Sequence, residues 1–184
     1  MKLLAISGSL RRDSHNTLLL RAAGELLGPD DTLELWEGLR EVPAYDQDDD
    51  VEPAPKAVAD LRAAIASADA VLLSTPEYNS SIPGALKNAL DWASRPIATN
   101  VFRSKPVAVI GSSIGMFGAV WAQADLRKVL AAMGARVADA EVAVGHASEK
   151  FDEHGRLTDE NVREQLQDAI ATLVATADPV QIAA

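Results

Sequence analysis

Short apolar runs alternate with helical patterns along the chain, and this alternation restricts the fold more than any other feature. Lys2–Ser7 and Ala70–Thr75 each have a continuously apolar centre, as parallel strands do when both of their faces are buried. Between such runs, leucines and alanines recur at the spacing of one helix face, for example from Asn16 to Leu27. A chain of this kind forms a parallel sheet with helices on both faces.

The pattern predicts five strands and five helices. The predicted strands are Lys2–Ser7, Thr32–Trp36, Ala70–Thr75, Pro106–Gly111 and Arg136–Ala140, and the predicted helices are Asn16–Leu27, Lys56–Ser67, Pro83–Ala93, Gly118–Met133 and Asp159–Ala175. This order fits a flavodoxin-like, doubly wound sheet in three α/β/α layers. We expect all 184 residues to form one domain, with Glu37–Pro55 as a long irregular connection.

The composition excludes several kinds of chemistry. The chain has no cysteine, so any redox chemistry belongs to a bound cofactor and not to a thiol or an iron–sulfur cluster. Its net charge of −10 argues against nucleic acid or an anionic membrane as the main partner. No apolar stretch approaches the roughly 20 residues of a membrane span, and the first apolar run is too short for a signal peptide. A cytoplasmic protein is therefore expected.

A loop rich in serine and arginine follows the first predicted strand. It reads SGSLRRDSHN, from Ser7 to Asn16, and leads directly into a helix. Hydroxyl groups, guanidinium groups and the free N–H groups of a helix N-terminus together bind anions such as a phosphate monoester. The loop lacks the Gly-Lys-Ser/Thr of a Walker loop and the later glycines of the dinucleotide fingerprint. A terminal phosphate is therefore expected instead of a pyrophosphate.

Two more loops follow the third and fourth predicted strands. TPEYNSSIPGALKNALDW, from Thr75 to Trp92, places two prolines and a Tyr78-Asn79 pair between a strand and a helix. Prolines stiffen a loop, whose backbone groups then offer fixed donors and acceptors to the edges of a planar ring. GSSIGMFGA, from Gly111 to Ala119, adds hydroxyls and glycines that permit close backbone approach. Carboxyl ends of parallel strands share one edge of a sheet, so the three loops are expected to converge.

These motifs resemble the NAD(P)H-dependent FMN reductase family of flavodoxin-like proteins, which includes bacterial quinone, chromate and azo-dye reductases. GSLRRDSHN is similar to the family's phosphate loop, and PEYNSSIPGALKNALDW is similar to its flavin-ring loop. The resemblance implies a ligand set. The FMN phosphate is held by Ser9, Arg11, Ser14 and Asn16, with His15 in the same loop; Pro76, Glu77, Tyr78 and Asn79 line the isoalloxazine ring; Ser112 and Gly115 lie near its far edge.

The third loop departs from the family pattern. The family often has Gly-Gly and then Arg where this chain has Gly118-Ala119 and, further on, Trp121. Trp121 is therefore expected to point into the helix core. The family's contacts to the nicotinamide coenzyme and to a neighbouring subunit are not carried over to this loop.

The resemblance implies an FMN-dependent oxidoreductase that uses NADPH or NADH as co-substrate. A quinone is the expected small-molecule acceptor, followed by azo dyes, chromate or free flavin, and the chain is expected to form a homodimer or homotetramer. No protein side chain is expected to be catalytic, because the chemistry takes place on the flavin. A non-enzymatic flavodoxin-like electron carrier is the main alternative, and a flavin-binding sensor or scaffold is a third.

Other conspicuous residues are assigned structural roles. The acidic run Asp46–Asp50 lacks the spacing and glycine of a calcium loop, so we expect a solvated loop and no metal site. The three histidines are far apart in the sequence and are not expected to form a cluster. Trp92 is expected to pack on the inner face of its helix instead of stacking on the flavin.

Overall fold

The computed structural model describes residues 1–177. The strands are β1 (Lys2–Ser7), β2 (Thr32–Trp36), β3 (Ala70–Thr75), β4 (Pro106–Ser112), β5 (Arg136–Val137) and β6 (Ala143–Val144). The α-helices are α1 (His15–Glu25), α2 (Lys56–Ser67), α3 (Gly84–Ala93), α4 (Val120–Ala132) and α5 (Glu160–Ala177). None of the helices within this range is long and apolar enough to cross a membrane.

The strands form one parallel sheet in the order β2-β1-β3-β4-β5, and β6 pairs with β4 beyond the end of β5. From β1 the chain winds to one side for β2 and to the other side for β3. The winding therefore reverses between β1 and β3, and a crevice opens there at the carboxyl ends of the strands. This topology confirms the predicted flavodoxin-like, doubly wound sheet.

Helices cover both faces of the sheet and complete the three layers. On one face, α1 and α5 pack on the strands through residues such as Leu19 and Leu166. On the other face, α2, α3 and α4 pack through residues such as Leu61, Leu90 and Leu126. Every residue of β3 and β4 is buried, which is why these strands appear as continuous apolar runs in the sequence.

The predicted fifth strand, Arg136–Ala140, is wrong in its length, and the sheet has six strands instead of five. Two strands of two residues take its place, both parallel to β4, with a bend at Asp139 between them. The Arg127 guanidinium, from α4, donates hydrogen bonds to the Val109 carbonyl at 3.0 Å and the Ala138 carbonyl at 3.3 Å. Because these carbonyls are occupied by a side chain, the ladder between β4 and this edge is interrupted.

The bounds of β1, β2, β3 and α2 agree with the predictions, and the ends of the remaining elements differ from them by one or two residues. The largest difference at a helix start is in α4, which begins at Val120 and not at Gly118. Gly118 and Ala119 have φ angles of 59° and 64°, and a residue in this left-handed region cannot belong to a right-handed helix.

The long connection Glu37–Pro55 packs against α3 through Trp92. The Trp92 side chain is fully buried, its Nε1 donates to the Pro43 carbonyl at 2.9 Å, and its ring meets Tyr45 edge-on. The prediction that Trp92 packs inside the protein is confirmed. The acidic residues Asp46, Asp48 and Asp49 are exposed, as expected for a solvated loop.

Candidate functional site

The loop between β1 and α1 is held in shape by its own hydroxyl groups. Ser14 is the N-cap of α1, and its Oγ accepts a hydrogen bond from the Thr17 N–H at 3.4 Å. Ser7 Oγ accepts from the Ser9 N–H at 3.3 Å and from the Thr17 hydroxyl at 3.0 Å. A hydroxyl that accepts in this way can still donate its own proton. The first turn of α1 adds backbone N–H groups that no helical carbonyl can satisfy.

Asn16 connects this loop to the ends of two other strands. Its Nδ2 donates to the Ser112 carbonyl at 3.0 Å, and its Oδ1 accepts from the Ser112 N–H at 3.0 Å and from the Ser74 hydroxyl at 2.8 Å. The side chain is only 3% exposed. The Asn16 amide, which was predicted to hold the phosphate, is thus bound mainly to β3 and β4, and one N–H of the amide is left available to a ligand.

The loop after β3 forms a tight hairpin. Tyr78 and Ser81 exchange backbone hydrogen bonds at 3.1 and 3.2 Å, and the two residues between them, Asn79 and Ser80, have φ angles of 53° and 59°. A two-residue turn with positive φ at both positions is the type I′ turn, in which asparagine is favoured. Asn79 therefore shapes the turn, and the ring of Tyr78 is left half exposed.

Glu77 joins the hairpin to the start of α4. Its Oε2 accepts hydrogen bonds from the Trp121 N–H at 3.0 Å and the Ala122 N–H at 3.1 Å. A carboxylate at this position satisfies two free N–H groups and interacts favourably with the helix dipole. Ser81 makes a second connection, because its hydroxyl donates to the Asp125 carboxylate at 2.7 Å. The flavin-ring loop of the sequence motif is therefore fixed to α4 at two points.

The glycines after β4 serve packing within the protein. A Cβ on Gly118 would lie 2.3 Å from the carbonyl carbon of Ala143, so the loop can lie against β6 only with glycine there. The Gly115 N–H donates to Ser113 Oγ at 3.1 Å, and its carbonyl accepts from the His146 N–H at 3.0 Å. We expected glycine in this loop to let the backbone approach a ligand closely. At Gly118 the backbone instead approaches strand β6.

The three loops enclose one cleft of about 260 Å³. Nine of the eleven predicted site residues line it: Ser9, Arg11, Ser14, His15, Asn16, Pro76, Glu77, Tyr78 and Ser112. Asn79 and Gly115 are not among the lining residues. Ser113, whose hydroxyl belongs to the predicted third loop but not to the predicted ligand set, and Ile114, which was not predicted, also line the cleft.

The charges divide the cleft into two ends. Arg11 is exposed at one end and makes no ion pair with any residue between 1 and 177. His15 stacks on Phe151 with 5.8 Å between ring centroids. Burial, and secondarily the charge of Arg11, lower the pKa of His15 below its usual 6.5. The lowered pKa favours the neutral form of His15, and the positive charge at this end comes from Arg11.

Trp121 does not point into the helix core, and that prediction is wrong. Its side chain is 46% exposed and meets Phe117 edge-on, with 5.0 Å between the ring centroids. Ile114 and Met116, in the same loop, are also exposed. Because the Trp121 N–H is held by Glu77, the residue starts α4 at the outer surface. These four residues form an apolar rim beside the cleft.

The residues of the cleft fit a phosphorylated flavin. One end offers Arg11 and the hydroxyls of Ser9 and Ser14 to a phosphate, and the other end offers Pro76, Tyr78 and Ile114 to a planar ring, with the Ser112 and Ser113 hydroxyls beside them. Ser112 Oγ is buried in the wall and has no hydrogen-bond partner within residues 1–177, so a polar ligand atom would satisfy it. A doubly wound sheet with this cleft at its switch point defines the class of flavodoxin-like flavoproteins.

Comparison with known proteins identifies the family. Residues 1–149 match the model of the NADPH-dependent FMN reductase family, and the chain belongs to this family. It is an oxidoreductase with FMN as its cofactor. An NAD(P)H-dependent FMN reductase of Pseudomonas aeruginosa is 41% identical over 94% of this chain and 93% of its own length. A 2-hydroxy-1,4-benzoquinone reductase of a Burkholderia species is 39% identical over 91% of each chain.

A solved structure agrees with the fold and the family. The flavoenzyme NAD(P)H:(acceptor) oxidoreductase of Paracoccus denitrificans superimposes with a TM-score of 0.86, at 36% identity and over 96% of each chain. The match spans the elements that build the cleft, so the resemblance noted in the sequence is confirmed.

Proposed function

We propose that the protein transfers electrons from NADPH or NADH to a small quinone-type acceptor, with the cleft as the site of both half-reactions. The observation that carries the proposal is that the serine- and arginine-rich loop after β1 and the hairpin after β3 line one cleft. Relatives named as quinone reductases support the choice of acceptor. FMN bound in the cleft would supply the redox chemistry, as the two-electron carrier between the nicotinamide and the acceptor.

The phosphate end fixes the cofactor in place. In this proposal the Arg11 guanidinium and the hydroxyls of Ser9 and Ser14 bind the FMN phosphate. The N–H groups at the start of α1 strengthen this site through the helix dipole. Asn16 acts mainly by positioning, because it ties the loop to Ser74 and Ser112.

The ring end orients the flavin and admits the substrates. Pro76 and the Tyr78 hairpin supply one wall, and Ser112 supplies a hydroxyl for a polar edge of the ring. Tyr78 and Ile114 are 50% and 68% exposed, so the mouth of the cleft is open. An open mouth lets the nicotinamide leave and a planar acceptor take its place, and it accommodates azo dyes, chromate or free flavin as further acceptors.

Steady-state turnover tests the proposal. Protein reconstituted with FMN should oxidise NAD(P)H in the presence of a benzoquinone, and the rate should depend on the FMN content of the sample. A non-enzymatic electron carrier would accept electrons only from a partner reductase. Failure of every tested quinone, azo dye, chromate and free flavin to support NAD(P)H oxidation would contradict the proposed function.

The proposal also includes the assembly and the location of the enzyme. We expect the protein to be cytoplasmic. We also expect a homodimer or homotetramer, because the apolar rim of Ile114, Met116, Phe117 and Trp121 is exposed beside the cleft and burial of such a patch drives association. Light scattering after size-exclusion chromatography measures the mass directly. A mass equal to the 19.5 kDa of one chain would contradict the oligomer.

A further inference from the structure

A second cavity lies beside the flavin cleft, and nothing in the proposed reaction uses it. Its volume is about 340 Å³, within the ~300–1,000 Å³ of small-molecule sites. The loop after β1, helix α1 and the segment after β2 enclose it. It shares Ser9 and Arg11 with the cleft, whereas Arg12, Arg21 and Arg40 line this cavity and not the cleft. We call it the arginine cavity.

Four arginines line the arginine cavity, and the FMN phosphate engages only Arg11 in the proposed function, which leaves the charges of the other three for a second anion. Arg11, Arg12, Arg21 and Arg40 line it, and Glu37 is the one carboxylate among its lining residues. None of the four arginines forms an ion pair inside the described chain, residues 1–177. Like charges repel when no anion lies between them. This concentration of positive charge, in a chain of net charge −10, favours binding of a multiply charged anion.

The donors around the cavity suit a phosphate group. Arginine binds phosphate oxygens with two parallel hydrogen bonds. Arg40 is already oriented, because its Nη2 donates to the Leu10 carbonyl at 2.6 Å. The Ser7 and Thr17 hydroxyls line the same cavity and are 3.0 Å apart in a hydrogen bond. A pre-oriented donor loses less entropy when the ligand binds.

The remaining wall is apolar and suits a nucleoside. Leu35, Trp36 and Leu39 line it. The indole of Trp36 lies directly against Gly38, because a Cβ at that position would come within 2.6 Å of the ring. An aromatic and aliphatic wall beside a cluster of cations recognises a base or ribose that carries a phosphate.

We propose that the arginine cavity is a second anion site that binds the phosphomonoester of a nucleotide. Two sources share this chemistry: the 2′-phosphate of NADPH, which NADH lacks, and a separate phosphorylated nucleoside. We favour the first source because the cavity adjoins the flavin cleft through Ser9 and Arg11. That assignment rests on the proposed function, whereas the anion site itself does not.

Calorimetric titration of FMN-loaded protein tests the site directly, because FMN already fills the cleft. The probes are 2′,5′-ADP, 5′-AMP and inorganic phosphate. We expect 2′,5′-ADP to bind and Arg21→Ala to weaken it about tenfold, the loss of one charge-assisted contact. Arg21 is exposed on α1, so the variant should keep its fold. Lys128→Ala removes one exposed charge from α4 and should leave the affinity unchanged.

Each outcome of the titration has a meaning. Preference for 2′,5′-ADP over 5′-AMP and inorganic phosphate supports the NADPH assignment. Equal affinity for the two nucleotides supports the site and assigns it to a separate nucleotide, and equal affinity for inorganic phosphate assigns it to free phosphate. If no probe binds, or if Arg21→Ala and Lys128→Ala have the same effect, the anion site is refuted.

Coenzyme kinetics then test the link to turnover. Arg21→Ala should lower kcat/KM for NADPH about tenfold and leave kcat/KM for NADH unchanged. Equal changes with both coenzymes would overturn the NADPH assignment. If neither coenzyme is oxidised by the native protein, the proposed function fails, while the titration still decides whether the anion site exists.

Discussion

Replacement of Asn16 by alanine should loosen three loops at once. The native side chain makes three hydrogen bonds, two to the backbone of Ser112 and one to the Ser74 hydroxyl, in a position that is 3% exposed. Alanine at this position can make none of these bonds. The Ser112 N–H then loses its acceptor in the interior, at the point where β4 enters the cleft.

The size of the effect follows from these three bonds. A protein hydrogen bond contributes a net ~0.5–1.5 kcal/mol, so three contribute roughly 3 kcal/mol. That is a large share of the ~5–15 kcal/mol by which domains are stable. The loops after β1 and β4 also lose their common anchor. We therefore expect FMN affinity to fall at least about tenfold, which corresponds to ~1.4 kcal/mol.

Urea unfolding of the apo-protein and fluorescence titration with FMN measure the two effects. Asn100→Ala is the matched control, because the Asn100 amide also makes two internal hydrogen bonds, to the Met133 carbonyl at 2.7 Å and from the Phe102 N–H at 2.9 Å. Asn100 precedes β4 and therefore lies near the amino ends of the strands, away from the cleft at their carboxyl ends. The control should lose stability and keep its FMN affinity. Equal loss of FMN affinity in both variants, or a stability loss below ~1 kcal/mol for Asn16→Ala, would refute this reasoning.

Substitutions at four further positions test individual contacts. Arg11→Ala should weaken FMN binding by about one to two decades, since a charge-assisted hydrogen bond is worth roughly 1.5–3 kcal/mol. Arg12→Ala should change the FMN affinity much less, because Arg12 does not line the cleft. Equal effects of the two substitutions in fluorescence titrations with FMN would indicate a diffuse basic patch. Glu77→Ala should destabilise the protein by ~1 kcal/mol through loss of the α4 cap. Glu77→Gln keeps an acceptor and should destabilise it by less. Equal urea midpoints for Glu77→Ala and the native protein would contradict the capping role. The pKa of His15 is lowered in the folded protein. The unfolded chain therefore takes up a proton at His15 as the pH falls through 6.5, whereas the folded protein takes it up only at lower pH. Because the unfolded state binds the proton more readily, acid destabilises the fold. His15→Gln should reduce this loss of stability, and an unchanged pH profile of unfolding would show that His15 makes no such contribution.

The sheet was predictable from sequence because its central strands are buried on both faces. Such strands appear as continuous apolar runs, and the predicted bounds of Lys2–Ser7 and Ala70–Thr75 agree with the structure. The last edge of the sheet was not predictable in the same way. It is interrupted by Arg127, a residue of the preceding helix whose guanidinium donates hydrogen bonds to backbone carbonyls at this edge. Nothing local to residues 136–140 indicates this.

The convergence of the site was predictable, but the role of individual side chains was not. The three polar motifs follow parallel strands, so their meeting at one edge is a consequence of the fold class. Glu77 instead caps a helix that begins 43 positions later, with its carboxylate on the Trp121 N–H. Asn16 is engaged with Ser112, 96 positions away. Contacts at such separations depend on the assembled sheet, and no local pattern in the sequence specifies them.

Stopped-flow absorbance of the two half-reactions tests the central claim most directly. The FMN-loaded protein is mixed anaerobically with NADPH or NADH, the flavin absorbance is followed, and a benzoquinone is added in a second mixing step. We predict that the flavin bleaches without any acceptor, at least as fast as steady-state turnover, and that the quinone restores its colour in a separate step. If neither coenzyme reduces the bound flavin at the rate of turnover, the reductase function is contradicted and an electron carrier that depends on a partner reductase takes its place.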